Sequence, residues 1–159
     1  MDQSGRCACG CTEQVDGTAT FAVVLQRCGV VAEVTAPARR CAACGAPVPD
    51  PAASRLAQLA VGRQLADLGV RTGDALRHMR KALGLRACDL ARLLGVTPET
   101  ISHWERGHAE TPCAVFAAVG AMVEEALSGR TATWDRLARL ADGRPFPRAL
   151  ALTVPAKAG

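Results

Sequence analysis

The residues in this 159-residue chain best placed to do chemistry are its eight cysteines, six of which, Cys7, Cys9, Cys11, Cys28, Cys41 and Cys44, fall in the first third. "CAACG", residues 41–45, sets two thiols on either side of two residues. That spacing lets both thiolates bind one tetrahedral ion, and the glycine behind them permits the tight turn. The partner half-site reads "CACGC", residues 7–11, with three thiols where two are needed. Cys7 and Cys11 are separated by three residues, whereas Cys7 with Cys9, or Cys9 with Cys11, makes a tighter pair. Two of these three are expected to join Cys41 and Cys44 in a four-thiolate zinc site. The zinc is read as structural, because a catalytic ion keeps an open position and uses histidine or carboxylate ligands. All three histidines, His78, His103 and His108, lie far along the chain from these cysteines. Free buried cysteines are the alternative, and Cys88 and Cys113 are read that way, as small core residues.

A second chemical feature is the polar row in "GVTPETISHWERG", residues 95–107. Thr97 is a good N-cap, Pro98 suits the first helical position, Glu99 favours the positive helix end, and Gly107 can take the left-handed conformation that closes a helix. A helix over 98–106 follows. Ile101 and Trp104 form its inward stripe, leaving Glu99, Ser102, His103 and Arg106 opposite.

So short a helix needs support. "ACDLARLLGVT" supplies one preceding helix, with Leu90, Ala91 and Leu94 inward and Gly95 closing it, and "TGDALRHMRKALGL" another, capped by Thr72 with Leu76, Met79 and Leu83 inward. Two helices joined by a tight turn and braced by a third make a helix-turn-helix. "TPCAVFAAVGAMVEEAL" is apolar nearly all round, which predicts a buried helix that also contributes a dimer contact. "TATWDRLARLA" makes a further short helix, packed through Trp134, Leu137, Leu140 and Ala141. Upstream, "TATFAVVL" and "GVVAEVT" suit a β-hairpin with "QRCG" at its turn, which puts Cys28 at the tip. The proline-rich "GAPVPDP" then leads into a connecting helix with Leu56, Leu59, Ala60, Ala66 and Leu68 inward, weakened by Gly62.

The run "LRHMRKALGLRACDLARLLGVTPETISHWERG" resembles the Xre/Cro-type helix-turn-helix family over residues 72 to about 128. In that motif the second helix of the pair enters the major groove of DNA. The resemblance implies that Glu99, Thr100, Ser102 and His103 face the groove, with Thr97 and Arg106 at the ends of the same helix. Glu99 and His103 fall at the two base-reading positions. Related motifs carry threonine and glutamine where this chain has Arg86 and Ala87, so a direct arginine contact is expected there instead. Arg80, Lys81 and Arg86 are read as phosphate contacts. The order knuckle, hairpin, knuckle, connecting helix, helix-turn-helix is similar to the MqsA family of antitoxin-type regulators, in which a YgiT-type zinc finger precedes an Xre-type domain. That resemblance implies a homodimer that represses an operator in double-stranded DNA, and a zinc domain that engages a toxin.

The expected fold is therefore α+β. A small zinc-knuckle β-hairpin domain over 1–46 and a linker with connecting helix over 47–71 precede an all-α, lambda-repressor-like helix-turn-helix domain over 72–141. A flexible tail over 142–159 completes the chain. The two domains are expected to have separate cores. Net charge is only +4, too mild to establish nucleic-acid binding unaided. "MDQSGRCACG" lacks the apolar core of a secretory signal, and no apolar run reaches membrane-spanning length, so the expected compartment is the cytoplasm, with no membrane partner. No catalytic triad, phosphate loop or carboxylate pair can be assembled, so no enzyme is expected. The alternatives are a thiol/zinc redox-sensing regulator and a protein-binding adaptor that has lost DNA binding.

Overall fold

The computed structural model describes residues 7–25, 29–48 and 50–143. The expected position of Cys28 at the hairpin tip, and all but the first two residues of the 142–159 tail, lie outside the described residues.

Strands β1 (Gln14–Leu25) and β2 (Val30–Cys41) pair antiparallel, in register from Gln14 opposite Cys41 to Leu25 opposite Val30. Because successive side chains alternate, one face gathers Val23, Leu25, Ala36 and Ala38, all buried, while Thr18, Thr20, Glu33 and Thr35 stand exposed on the other. The pairing extends beyond the β-branched stretches that the sequence marked as strands. It continues through Gly17, Ala36 and Ala38, small residues on the face that lies against the first helix.

Helix α1 (Pro51–Asp67) starts from Asp50, whose carboxylate accepts the Ala52 N–H at 2.8 Å, with proline in the first turn. It buries Ala53, Ala57, Leu59, Val61, Gly62 and Leu65. The inward positions expected at Leu56 and Leu68 are wrong: these side chains are 45% and 68% exposed. The helix is packed by the hairpin as well as by other helices, so small alanines serve the hairpin face and no single leucine stripe marks what is buried. Gly62 is also a packing point, since a Cβ there would stand 3.3 Å from the Met79 and Val123 side chains.

Helices α2 (Gly73–Ala82), α3 (Ala87–Leu94), α4 (Pro98–Arg106), α5 (Cys113–Leu127) and α6 (Ala132–Ala141) follow among the described residues. Thr72 and Thr97 cap α2 and α4 by accepting the Ala75 and Thr100 N–H groups, while Gly95 and Gly107 close α3 and α4 at positive φ, as the sequence predicts. Leu76, Met79, Leu90, Ile101, Val119 and Val123 meet in the fully buried centre, drawn from α2, α3, α4 and α5. Helix α6 buries no residue completely. Its Trp134 and Leu137 are half-buried, but Leu140, expected inward, is 72% exposed, because α6 lies on the rim formed by α3 and α5. Cys88 and Cys113 are likewise exposed and not core residues, both in first helical turns where solvent reaches them.

Val23 and Leu25 belong to the same buried cluster as Leu59, Leu65 and Met79. The two separate cores expected from the proline-rich link are thus replaced by one continuous core at the tip end of the hairpin. A lone two-stranded hairpin has one apolar face and nothing of its own to cover it.

His78, on α2, is buried with its Nε2 2.9 Å from the Gln58 carbonyl oxygen. Burial, only partly opposed by that carbonyl, pushes its pKa below the ordinary 6.5, so the native ring is neutral and donates Nε2–H. The unfolded chain then takes up a proton that the native chain refuses. Stability is complete above the ordinary value and falls as pH drops from there toward the depressed native pKa. Urea midpoints measured from about pH 7.5 down to about 5 are expected to decline more steeply for the wild type than for His78→Gln. Parallel curves would remove His78 as the cause.

Candidate metal centre and nucleic-acid interface

Two tight turns build the cysteine site. In the first, the Gly10 N–H reaches the Cys7 carbonyl at 2.9 Å and the Cys7 N–H the Cys11 carbonyl at 3.3 Å; in the second, the Gly45 N–H reaches the Cys41 carbonyl at 2.9 Å. Both glycines take a positive φ, +87° and +69°, which a side chain would resist. The β1–β2 pairing of Gln14 with Cys41 brings the two turns together.

The result is a cluster of Cys7, Cys9, Cys41 and Cys44 with all four Sγ atoms within 4.8 Å of one another. Cys7 and Cys44 are 3.4 Å apart, Cys9 and Cys41 3.5 Å. Zinc–thiolate bonds of about 2.3 Å arranged tetrahedrally require S–S separations of about 3.8 Å, so the four sulfurs fit one such ion with small adjustments. Cys11 is outside the cluster, its Sγ turned to the Glu13 carbonyl at 3.8 Å. Of the pairs that the sequence left open, the structure selects Cys7 and Cys9. The signal that marks Cys9 is the Cys–Gly step, repeated at Cys9–Gly10 and Cys44–Gly45. The backbone N–H of Cys44 acts most strongly on the Cys41 thiol and, with that of Ala43 and against the effect of burial, lowers its pKa to about 6. One thiol of the cluster is thus prepared as a thiolate near neutral pH, the form that could bind a metal.

Further along the chain, α4 and its N-cap present Thr97, Glu99, His103 and Arg106 to solvent, with Thr100 and Ser102 half-buried at the edges of that face. Ile101 and Trp104 are buried, as the stripe predicts. Glu99's own backbone N–H, and then the Thr97 hydroxyl, hold its carboxyl below the usual range, so it is ionised in the first turn of α4. The His103 ring lies 5.9 Å from that of His108, tilted by 56°.

Arg86 immediately precedes α3, and its exposed guanidinium makes a fork to Asp89, with Nε–Oδ2 at 2.9 Å and Nη2–Oδ1 at 3.0 Å. Hydrogen bonds from the Arg86 side chain and backbone hold the Asp89 carboxyl down to about 2. Lys81 is exposed at the end of α2. Arg80, expected at the phosphate face, is instead buried: its Nε and Nη2 donate to the two oxygens of Glu105 at 2.5 and 2.9 Å, and Nη1 to the Leu85 carbonyl at 2.7 Å. Its donors are spent inside the fold, which corrects the reading of Arg80 as a surface contact. Glu105 was missed by sequence reasoning, although it lies four residues after Ile101 and so on the inward side of α4.

A tight helical pair, a third helix bracing it and a solvent-facing polar row define the class of a helix-turn-helix DNA-binding regulator, here joined to a four-cysteine hairpin. A family model described as a helix-turn-helix domain matches residues 71–152, just over half of the chain, and the chain belongs to that family. No curated protein and no solved structure matches it significantly.

Proposed function

We propose that this protein is a sequence-specific transcriptional regulator, a repressor of the MqsA-like antitoxin type, that binds operator DNA through α4 as a homodimer in the cytoplasm. In this reading residues 1–46 form a zinc-stabilised domain that engages a toxin, 47–71 connect, and 72–141 bind DNA. The observation that carries the reading is the exposed row on α4, with Glu99 and His103 one turn apart on the face away from Ile101 and Trp104. The four-cysteine cluster, built from two turns at one end of a hairpin, supports a structural zinc in place of a reactive one.

In the major groove a carboxylate at Glu99 accepts from cytosine N4, and the His103 imidazole donates to guanine O6 or N7. Thr97, Thr100, Ser102 and Arg106 flank these two. Lys81 and Arg86 supply phosphate contacts that no base sequence alters. With an operator recovered by selection from random duplexes, Glu99→Ala is expected to relax discrimination at one base pair by about 1–3 kcal/mol while holding or raising non-specific affinity, since a negative charge is lost. Arg86→Ala should weaken all duplexes alike and flatten the salt dependence by about one unit of slope. Titration of both variants against the operator and its single-base mutants at several salt concentrations measures this. Uniform loss in Glu99→Ala with base preferences intact means that the row is not the reading face.

A further inference from the structure

A cleft of about 470 Å³ opens where α1, α2, α5 and α6 meet, outside both sites described above. Its volume is within the range of small-molecule sites. Leu83, Met122 and Trp134 give it an apolar wall, and Arg55 from α1 and Arg130 from the α5–α6 turn also line it. Both arginines are exposed, and neither has a carboxylate partner among the described residues.

Two acidic residues share the lining, and each already accepts hydrogen bonds from the start of α6. Glu125 accepts the Thr133 N–H at 2.8 Å and the Thr133 hydroxyl at 2.9 Å, and Asp135 accepts the Thr131 hydroxyl at 2.9 Å. These bonds fasten the first turn of α6. The two guanidinium groups, unpaired among the described residues, share this lining with a half-buried indole and a thioether. A planar aromatic body packs well on such a wall, and a carboxylate suits guanidinium donors bidentately.

We propose that this cleft binds a small aromatic carboxylate and that its occupancy alters DNA binding through α6. Helix α6 packs on α3, the first helix of the DNA-binding pair, as well as on α5, and it has no fully buried residue to anchor it. A ligand wedged against Trp134 therefore bears on an element that packs directly on α3. Only this regulatory consequence rests on the DNA-binding reading. The ligand site is independent of it.

The test uses the full zinc-loaded chain, with 2-naphthoate as probe and 2-naphthamide as its neutral isostere, titrated by calorimetry while the Trp134 indole N–H is followed by NMR. Naphthoate is expected to bind one per chain, about tenfold tighter than the amide, and to move the Trp134 signal. In the doubly substituted Arg55→Ala, Arg130→Ala protein, whose changes are at exposed positions, that preference should vanish. Equal affinity for acid and amide, an unmoved Trp134 signal, or a preference that survives loss of both arginines overturns the site. Saturating naphthoate should also change operator affinity by about fivefold or more. Naphthoate binding with unchanged operator affinity overturns the regulatory part alone, whereas a protein that binds naphthoate but no duplex at all refutes the DNA-binding reading and leaves the cleft standing.

Discussion

Glu105→Ala is expected to destabilise the helical domain by about 3–5 kcal/mol, enough to unfold much of it at ordinary temperature. The carboxylate lies at the end of α4 with its side chain only 10% exposed, and it takes both guanidinium donors that Arg80 directs toward it from α2. Removing it leaves a full positive charge in the core with one carbonyl, that of Leu85, as its remaining protein acceptor. The cost is that of stranding the arginine and not the net worth of the pair, because taking two charges out of water offsets most of their attraction. The paired replacement Arg80→Met, Glu105→Leu should therefore recover most of the lost stability. Denaturant unfolding of the single and paired variants measures both. A single variant as stable as the wild type would show that the pair is solvated in solution, and a paired variant no better than the single would show that α4 depends on these particular hydrogen bonds.

Chelation of the zinc proposed for the four-cysteine site is expected to have the larger effect on the hairpin. Structural zinc in small finger peptides contributes an apparent free energy of about 10–16 kcal/mol near neutral pH. The two ends of the hairpin should respond differently. Val23 and Leu25, embedded among Leu59, Leu65 and Met79, retain their burial without metal, whereas Cys7, Cys9 and Cys44 are held mainly by two turns and one another. After treatment with a strong chelator, amide-exchange protection should vanish around residues 7–15 and 39–46 but persist in α2 to α5. Zinc should bind one per chain in the wild type and in Cys11→Ser, and be lost in Cys41→Ser. Retention of zinc by Cys41→Ser, or loss of helical signal in step with zinc, contradicts this account.

The bounds of α4 and the caps of α2 and α4 were legible in the sequence because each rests on contacts within about four residues. Thr97 meets the Thr100 N–H, Gly107 takes its left-handed turn, and no distant part of the chain is consulted. The inward stripe of Ile101 and Trp104 was legible for the same reason, and so was the "CAACG" knuckle. Tertiary structure decided the rest. Cys9 and not Cys11 completes the four-cysteine cluster because strand pairing delivers Cys41 to that turn from 32 positions away. Arg80 leaves the phosphate face because Glu105, 25 residues further on, is brought beneath it, and no local pattern tells a buried arginine from an exposed one. Leu56 and Leu68 stay in solvent while alanines are buried, since a helix packed by a hairpin and by other helices answers to the shape of its neighbours and not to a single stripe of its own.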